Sequence, residues 1–220
     1  MRRAVYVLDT GAANLASMEC ALRRAGARTA VGLDPTRAKD AFALVLPGVG
    51  AFGPAAQQLQ SAGLDVVLQR RIDEGAPTLA VCLGMQLLSR ASAESKGASG
   101  IRVFDIRAER FSAGVRTPHL GWSPIEADST CTLLRSGWAA FAHSYRLAEA
   151  PVGWQVAWCE RGERFVAALE RGSVLACQFH PELSGAFGAR LLGDWLARAS
   201  GGNPRAGPGI RLRQSVRGVR

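Results

Sequence analysis

The stretch Thr78-Leu-Ala-Val-Cys82-Leu-Gly-Met-Gln86-Leu-Leu changes from a strand pattern to a helix pattern within a few residues. Its first four residues form a short apolar run, which is typical of a strand buried on both faces. Residues 84–90 predict a helix. Cys82 lies at the turn between the two, and its small neighbours Ala80 and Gly84 allow the backbone to turn tightly. A side chain at such a turn projects from the carboxyl edge of the sheet.

Strand and helix patterns alternate on the N-terminal side of this turn. Strands are predicted at 4–8, 29–31 and 42–46, and helices after Asn14, at 54–59 and at 64–72. This alternation predicts an α/β fold with a mixed, largely parallel sheet flanked by helices. In the C-terminal half, short strands separated by turn signals predict hairpins or sheet edges. These strands are predicted at 101–105, 131–134, 154–158, 165–170 and 174–178, and a last helix is predicted at 185–199.

The charge of the chain is concentrated at its C-terminal end. The 220 residues have a net charge of +9, but residues 203–220 contain five Arg and no acidic residue, and without them the excess falls to +4. The break Gly201-Gly-Asn-Pro204 therefore predicts one domain over residues 1–202 and a disordered Arg-rich tail over 203–220. No nucleic-acid-binding module stands out, which disfavours a nucleic-acid partner.

The cysteine pattern indicates a reducing compartment. Five Cys are present, an odd number with no metal-binding spacing, so reduced thiols in a cytoplasmic protein are the simplest interpretation. The apolar run after the two N-terminal Arg ends at Asp9, which predicts a first strand rather than a signal peptide. No apolar run reaches the length of a membrane span, so no membrane partner is expected.

Cys82, His180 and Glu182 form the candidate catalytic group. A thiol at a helix N-terminus is well placed to react as a thiolate, although position alone equally fits a buried structural Cys. His180 follows the predicted strand at 174–178, and Glu182 stands two residues further, across a Pro. A carboxylate that holds one imidazole nitrogen leaves the other free to accept the thiol proton. This pairing favours catalysis over a structural role for His180.

Acyl transfer also requires donors for the oxyanion that develops at the carbonyl. The loop Pro47-Gly-Val-Gly50 follows another predicted strand, and its glycines allow the N–H groups of Val49 and Gly50 to turn toward the site. The N–H of Leu83, directly after the nucleophile, is the other expected donor. Alone the loop signal is weak, because an ordinary turn between strand and helix has the same residues.

Several motifs together resemble one family. Cys82-Leu-Gly-Met-Gln-Leu-Leu88, Phe179-His-Pro-Glu182 and Leu46-Pro-Gly-Val-Gly50 resemble the class I (triad) glutamine amidotransferases, in the same order and within one flavodoxin-like domain. Pro118-His-Leu-Gly-Trp122 and Ala142-His-Ser-Tyr145 are similar to segments of the glutaminase subunits of imidazole glycerol phosphate synthases, which act in histidine biosynthesis. The resemblance covers residues 4 to about 198.

The resemblance implies a specific chemistry. Glutamine is hydrolysed to glutamate and ammonia through a thioester on Cys82, without a metal or other cofactor. It also implies that Gln86, Ser144 and Tyr145 hold the amino-acid end of the substrate. Ammonia would pass to a partner cyclase, a (β/α)8 barrel, which Pro118 and Trp122 would face. Without the resemblance, core packing of Trp122 is equally consistent with the sequence.

Some positions depart from the pattern of the family, and two other functions stay open. Ala80 stands where Gly is usual, Thr10 replaces Tyr, Ser123 replaces Asn and Leu183 replaces Lys. Leu183 puts one polar contact with the partner in doubt. One alternative is a glutaminase subunit that serves purine or pyridoxal phosphate synthesis, which the motifs around residues 118–122 and 142–145 disfavour. Another is a non-catalytic binding module, which the intact Cys, His and Glu disfavour.

Overall fold

A nine-stranded sheet with helices on both faces carries the candidate site in this computed structural model, which describes residues 4–11 and 14–201. In chain order the elements are β1 (Ala4–Leu8), α1 (Leu15–Arg24), β2 (Arg28–Gly32), α2 (Pro35–Asp40), β3 (Ala43–Leu46), α3 (Phe52–Ser61), α4 (Leu64–Asp73), β4 (Thr78–Val81), α5 (Leu83–Leu87), β5 (Ser89–Ser92), β6 (Phe104–Arg110), β7 (His119–Ala127), β8 (Gly137–His143), β9 (Tyr145–Arg146), β10 (Gln155–Glu160), β11 (Arg164–Arg171), β12 (Val174–Cys177), a 3-10 turn (Pro181–Leu183) and α6 (Gly185–Ala199). The predicted tail at 203–220 and its boundary at residue 202 lie outside the described residues.

The sheet has a parallel half and an antiparallel half. Its strand order is β2-β1-β3-β4-β12-β11-β10-β7-β8, with β5, β6 and β9 in a separate small sheet. The first five strands pair in parallel and the remaining pairings are antiparallel. The predicted mixed sheet flanked by helices is thus confirmed. Parallel strands form short apolar runs here because helices cover both of their faces.

Each face of the sheet has its own apolar core. Met18 and Leu22 of α1 pack on one face with Leu192 and Trp195 of α6. On the other face α3 and α4 supply residues such as Leu59. Across residues 4–11 and 14–201, no helix combines the length and apolar character that crossing a bilayer requires.

Two predicted elements have different bounds in the structure. The predicted helix at 84–90 ends at Leu87, because the Ser89 hydroxyl donates to the carbonyl of Gln86 at 2.6 Å and Ser89 begins β5. The strand predicted at 101–105 is β6, which starts at Phe104 and continues to Arg110. Helix α2 and strands β7 and β8 were not predicted as elements, although β7 contains the motif at 118–122.

The predicted strand at 131–134 is wrong, and Glu170 provides the reason. The segment forms a turn whose backbone N–H groups point at one buried carboxylate. Glu170 accepts from the N–H of Thr132, Leu133 and Leu134 at 2.5, 2.9 and 2.6 Å, and from the Thr132 hydroxyl at 2.8 Å. These donors are therefore satisfied by a side chain rather than by a neighbouring strand.

We expect Glu170→Ala to lower the free energy of unfolding by about 3 kcal/mol, because it leaves buried N–H donors without an acceptor. Denaturant unfolding of the variant and of Glu126→Ala, whose parent side chain is exposed on β7, measures the difference. Equal stability of the two variants would show that the turn at 131–134 does not depend on the carboxylate.

Candidate active site

The candidate nucleophile occupies a strained turn between β4 and α5. Cys82 has φ 53° and ψ −109°, a left-handed backbone that costs energy for any residue other than Gly. Its N–H donates to the carbonyl of Cys177 at 2.7 Å, which holds the turn against β12. At Gly84 an added Cβ would lie 2.1 Å from the carbonyl oxygen of Leu46, so only Gly fits there. Such strain is typical of functional sites.

Parallel pairing brings the predicted base to the nucleophile. Cys177 of β12 lies opposite Val81 of β4, so the residues that follow these strands meet at one edge of the sheet. His180 is buried and its N–H donates to the carbonyl of Ala140 at 2.8 Å. Its Nδ1 lies 2.9 Å from Glu182 Oε1. The structure thus brings Cys82, His180 and Glu182 together.

The surroundings of His180 favour its protonated form. Burial opposes protonation, but hydrogen bonds to Cys82 and Glu182, together with the negative charges of these groups, raise the pKa of His180 to about 10. A protonated imidazole next to the nucleophile holds a proton that it can give to a leaving group.

One predicted oxyanion donor already makes a hydrogen bond within the chain. The N–H of Leu83 donates to the carbonyl of Gly48 at 3.3 Å. Gly48 packs so closely that an added Cβ would lie 2.9 Å from the Leu83 Cβ. Val49 and Gly50 line the same cleft as Cys82, and Gly50 has φ 99°. The loop is therefore next to the nucleophile, but with a carbonyl oxygen where the oxyanion donor is needed.

The remaining predicted substrate residues line one cleft of about 350 Å³ with Cys82 and His180. Gln86 is buried, and its Nε2 donates to the carbonyl of Tyr145 at 2.9 Å and to Gln178 Oε1 at 3.0 Å. Ser144 and Tyr145 also line the cleft. A cleft of this volume with a few polar groups suits a small polar ligand.

Gln178 is a site residue that the sequence did not indicate. It is fully buried, and its Nε2 donates to Cys82 Sγ at 3.7 Å. Its place beside His180 in the motif at 178–182 was the available signal. The carbonyl of Ala142 also faces the sulfur, at 3.8 Å.

The predicted partner residues lie around the cleft. Pro118 lines it, and so does Leu120, which is 63% exposed. Trp122 is 54% exposed and Trp138, on the neighbouring strand, is 59% exposed. Core packing of Trp122 is therefore wrong, because the outward face of β7 presents it to solvent. These side chains form an exposed apolar rim on β7 and β8, next to the cleft.

Two further histidines, His119 and His143, are buried, and His143 also lines the cleft. His119 stacks on Phe141 with ring centroids 4.5 Å apart, and Phe111 and Phe165 also surround the pair. Burial, with the positive charge of Arg161 adding to it, lowers the pKa of His119 to about 4. Burial also lowers the pKa of His143 to about 3, although the carbonyl of Tyr145 acts in the opposite direction. Both rings are thus neutral near neutral pH.

We expect stability to fall as the pH drops from 6.5 toward 4. In this range the unfolded chain binds protons at both histidines, while the folded chain keeps them neutral. The loss should reach about 4 kcal/mol at pH 5, about 2 kcal/mol from each histidine. Urea unfolding at pH 7.5 and pH 5 measures it, and the double variant His119→Asn and His143→Asn should show a smaller pH dependence. An equal dependence in that variant would contradict the assignment.

Three of the other thiols are unsuited to act as nucleophiles. All five cysteines are free. Burial raises the pKa of Cys131 and Cys159 to about 12 and that of Cys177 well above its usual value, so these three thiols are unreactive. In the part of the chain that the structure describes, no group of three or more His, Cys, Asp or Glu side chains is arranged to hold a metal ion.

Known proteins are similar to this chain in sequence over most of its length. A family model described as glutamine amidotransferase class-I matches residues 6–199. The imidazole glycerol phosphate synthase subunit HisH of Leifsonia xyli subsp. xyli is 39% identical over 211 residues, covering 89% of this chain and 99% of the relative. The subunit of the same name from Symbiobacterium thermophilum is 36% identical over 195 residues, covering 87% of this chain and 92% of the relative.

The fold is shared with a solved structure as well. A crystal structure described as a glutamine amidotransferase has a TM-score of 0.72 and 22% identity, and the match covers 89% of this chain and 98% of its own. At this identity the likeness establishes the fold alone, which is the mixed sheet flanked by helices described above.

Proposed function

Since the chain belongs to the class-I glutamine amidotransferase family, we propose that it is the glutaminase subunit of an imidazole glycerol phosphate synthase. It hydrolyses L-glutamine to glutamate and ammonia, and passes the ammonia to a cyclase partner in histidine biosynthesis. The glutaminase domain comprises residues 1–202. A cytoplasmic location agrees with five free cysteines.

One observation carries the proposed chemistry: Cys82, in a strained turn, lines the same cleft as His180, whose Nδ1 lies 2.9 Å from Glu182 Oε1. The Cys82 sulfur attacks the side-chain carbonyl of glutamine. His180 then gives its proton to the departing ammonia, which leaves a thioester. Water, deprotonated by His180, cleaves the thioester and releases glutamate. Glu182 keeps the imidazole oriented through both steps.

The cleft supplies the binding groups. Gln86 and the Ser144–Tyr145 segment hold the amino-acid end of glutamine. The N–H groups of Val49, Gly50 and Leu83 are the donors for the oxyanion. The Leu83 N–H already donates to the Gly48 carbonyl. The peptide group between Gly48 and Val49 must therefore rotate before the Leu83 N–H can donate to the oxyanion.

The apolar rim fits a partner that closes over the cleft. Leu120 and Trp122 alternate on the outward face of β7, and Pro118 begins the same segment at the mouth of the cleft. Large exposed aromatic side chains are frequent anchors of protein interfaces. The partner is the (β/α)8 cyclase subunit, which forms a heterodimer with this chain and uses the ammonia to make imidazole glycerol phosphate and an aminoimidazole carboxamide ribotide.

A glutaminase assay with and without the cyclase subunit and its phosphoribosyl substrate tests this function. We expect slow hydrolysis by the free chain and a rise of about 100-fold in the complex, because one oxyanion donor is worth ~10²–10³ in kcat. Full activity without the cyclase would contradict the inference that the Leu83 N–H is unavailable to the oxyanion in the free chain.

The partner itself is tested by co-purification. The chain and the cyclase subunit should elute together, and Trp122→Ala should weaken the complex while Val152→Ala, at a fully exposed site, should not. Binding to a synthase of purine or pyridoxal phosphate synthesis instead of the cyclase would replace this assignment.

A further inference from the structure

Three side chains form a buried hydrogen-bond chain between β7 and the wall of the cleft. Ser123 Oγ lies 2.9 Å from His119 Nε2, and His119 Nδ1 lies 3.1 Å from His143 Nε2. His143 Nδ1 lies 2.9 Å from the carbonyl oxygen of Tyr145. We name this chain of Ser123, His119 and His143 the histidine relay.

The acceptor at one end determines the direction of every hydrogen bond. The carbonyl of Tyr145 only accepts, so Nδ1 of His143 carries the proton and its Nε2 is an acceptor. His119 must then donate from Nδ1 and accept at Nε2, which leaves the Ser123 hydroxyl as the donor. Both histidines are thus neutral Nδ1–H tautomers, in agreement with their burial among aromatic rings.

The same carbonyl connects the relay to the nucleophile. Gln86 Nε2 donates to Tyr145 O at 2.9 Å and to Gln178 Oε1 at 3.0 Å. Because the Oε1 of Gln178 accepts this bond, its Nε2 faces Cys82 Sγ at 3.7 Å. The orientation of the Gln178 amide therefore follows from the Tyr145 carbonyl, two hydrogen bonds away.

We propose that Gln178 is a positioning residue for the sulfur of Cys82, and that the histidine relay holds the carbonyl and amide groups that orient it. An N–H donor to a thiolate forms a charge-assisted hydrogen bond, which keeps the sulfur in place. The inward residues of β7, His119 and Ser123, belong to the relay, and its outward residues Leu120 and Trp122 form the apolar rim. Strand β7 thus carries residues of the apolar rim on one face and residues of the histidine relay on the other. This inference deepens the proposed function and rests on it for the role of Cys82.

Alkylation of Cys82 by iodoacetamide tests the positioning without requiring substrate or partner. The modified Cys82 peptide is quantified by mass spectrometry in the full chain at pH 7. Gln178→Met, which keeps the side-chain length but has no donor, should slow alkylation about 10-fold. Gln57→Met, at an exposed position on α3, is the matched control and should react at the parent rate. Equal rates for both variants overturn the role of Gln178.

The relay is tested by a pair of variants at His143. His143→Asn keeps a donor close to the position of Nδ1 and should retain most of the alkylation rate, whereas His143→Leu should lower it as Gln178→Met does. Thermal unfolding of each variant shows that it is folded. Equal rates in the two folded variants overturn the relay.

A spectroscopic measurement tests the tautomers directly. Long-range ¹H–¹⁵N correlation spectra of the histidine-labelled chain at pH 7 should show His119 and His143 as Nδ1–H tautomers. An Nε2–H pattern for either ring overturns the proposed direction. These readouts separate the two proposals, because activity that survives Cys82→Ala would refute the glutaminase assignment, whereas unchanged alkylation in Gln178→Met would refute only the positioning.

Discussion

Cys82→Ala should abolish glutamine hydrolysis, with a loss of at least about 10⁴ in kcat/KM, because without the sulfur no thioester forms. His180 and Glu182 would remain in place but would have no nucleophile to activate. The assay follows glutamate release by the complex with the cyclase. Glutaminase activity in this variant would refute the catalytic assignment.

The same variant separates ammonia production from ammonia use. With ammonium salt in place of glutamine, synthesis by the complex should continue at the parent rate, because the cyclase site is on the other subunit. Cys20→Ala is the matched control, since Cys20 is exposed on α1 and far in sequence from the turn. It should keep full activity with glutamine, and a loss there would point to a general effect of removing thiols.

Gly84→Ala should disrupt the nucleophile turn. The added methyl group would meet the backbone oxygen of Leu46 at 2.1 Å, and backbone atoms of a central strand cannot move aside as a side chain can. We expect a loss of roughly 3 kcal/mol in stability, as for overpacking in a core. Where the chain still folds, kcat/KM should fall at least about 100-fold, because a shift of about 1 Å at a catalytic group has that effect.

The control for this prediction is Gly193→Ala. Gly193 lies inside α6, and beyond its chain neighbours and the backbone of its own helix no atom lies within 4 Å of an added Cβ. Alanine there should raise stability by about 0.5–1 kcal/mol through its helix propensity. Melting temperatures and glutaminase rates of both variants are measured side by side. A Gly84→Ala protein with the parent melting temperature and rate would contradict the close approach to Leu46.

The local elements near the nucleophile were predictable because their residues act over short distances. The run Thr78–Val81 is buried on both faces, as its apolar residues predict, and α6 begins and ends where its pattern does. The Asn14 side chain accepts from the N–H of Ser17, as expected of a helix N-cap. Residues 131–134 were mistaken for a strand because their partner, Glu170, is distant in the chain.

Local patterns in the sequence were enough to predict the candidate catalytic residues: Cys82 after a buried strand, a histidine with a carboxylate two residues on, and a glycine loop. Tertiary structure decided how these groups meet. The pairing of β4 with β12 aligns two strand ends, and the Gly48 carbonyl occupies the donor expected for the oxyanion. The link from Ser123 to Gln178 also depends on packing, because hydrogen bonds between residues far apart in the chain have no local pattern. The folded sheet brings the donor and acceptor atoms of these residues within 3 to 4 Å of each other.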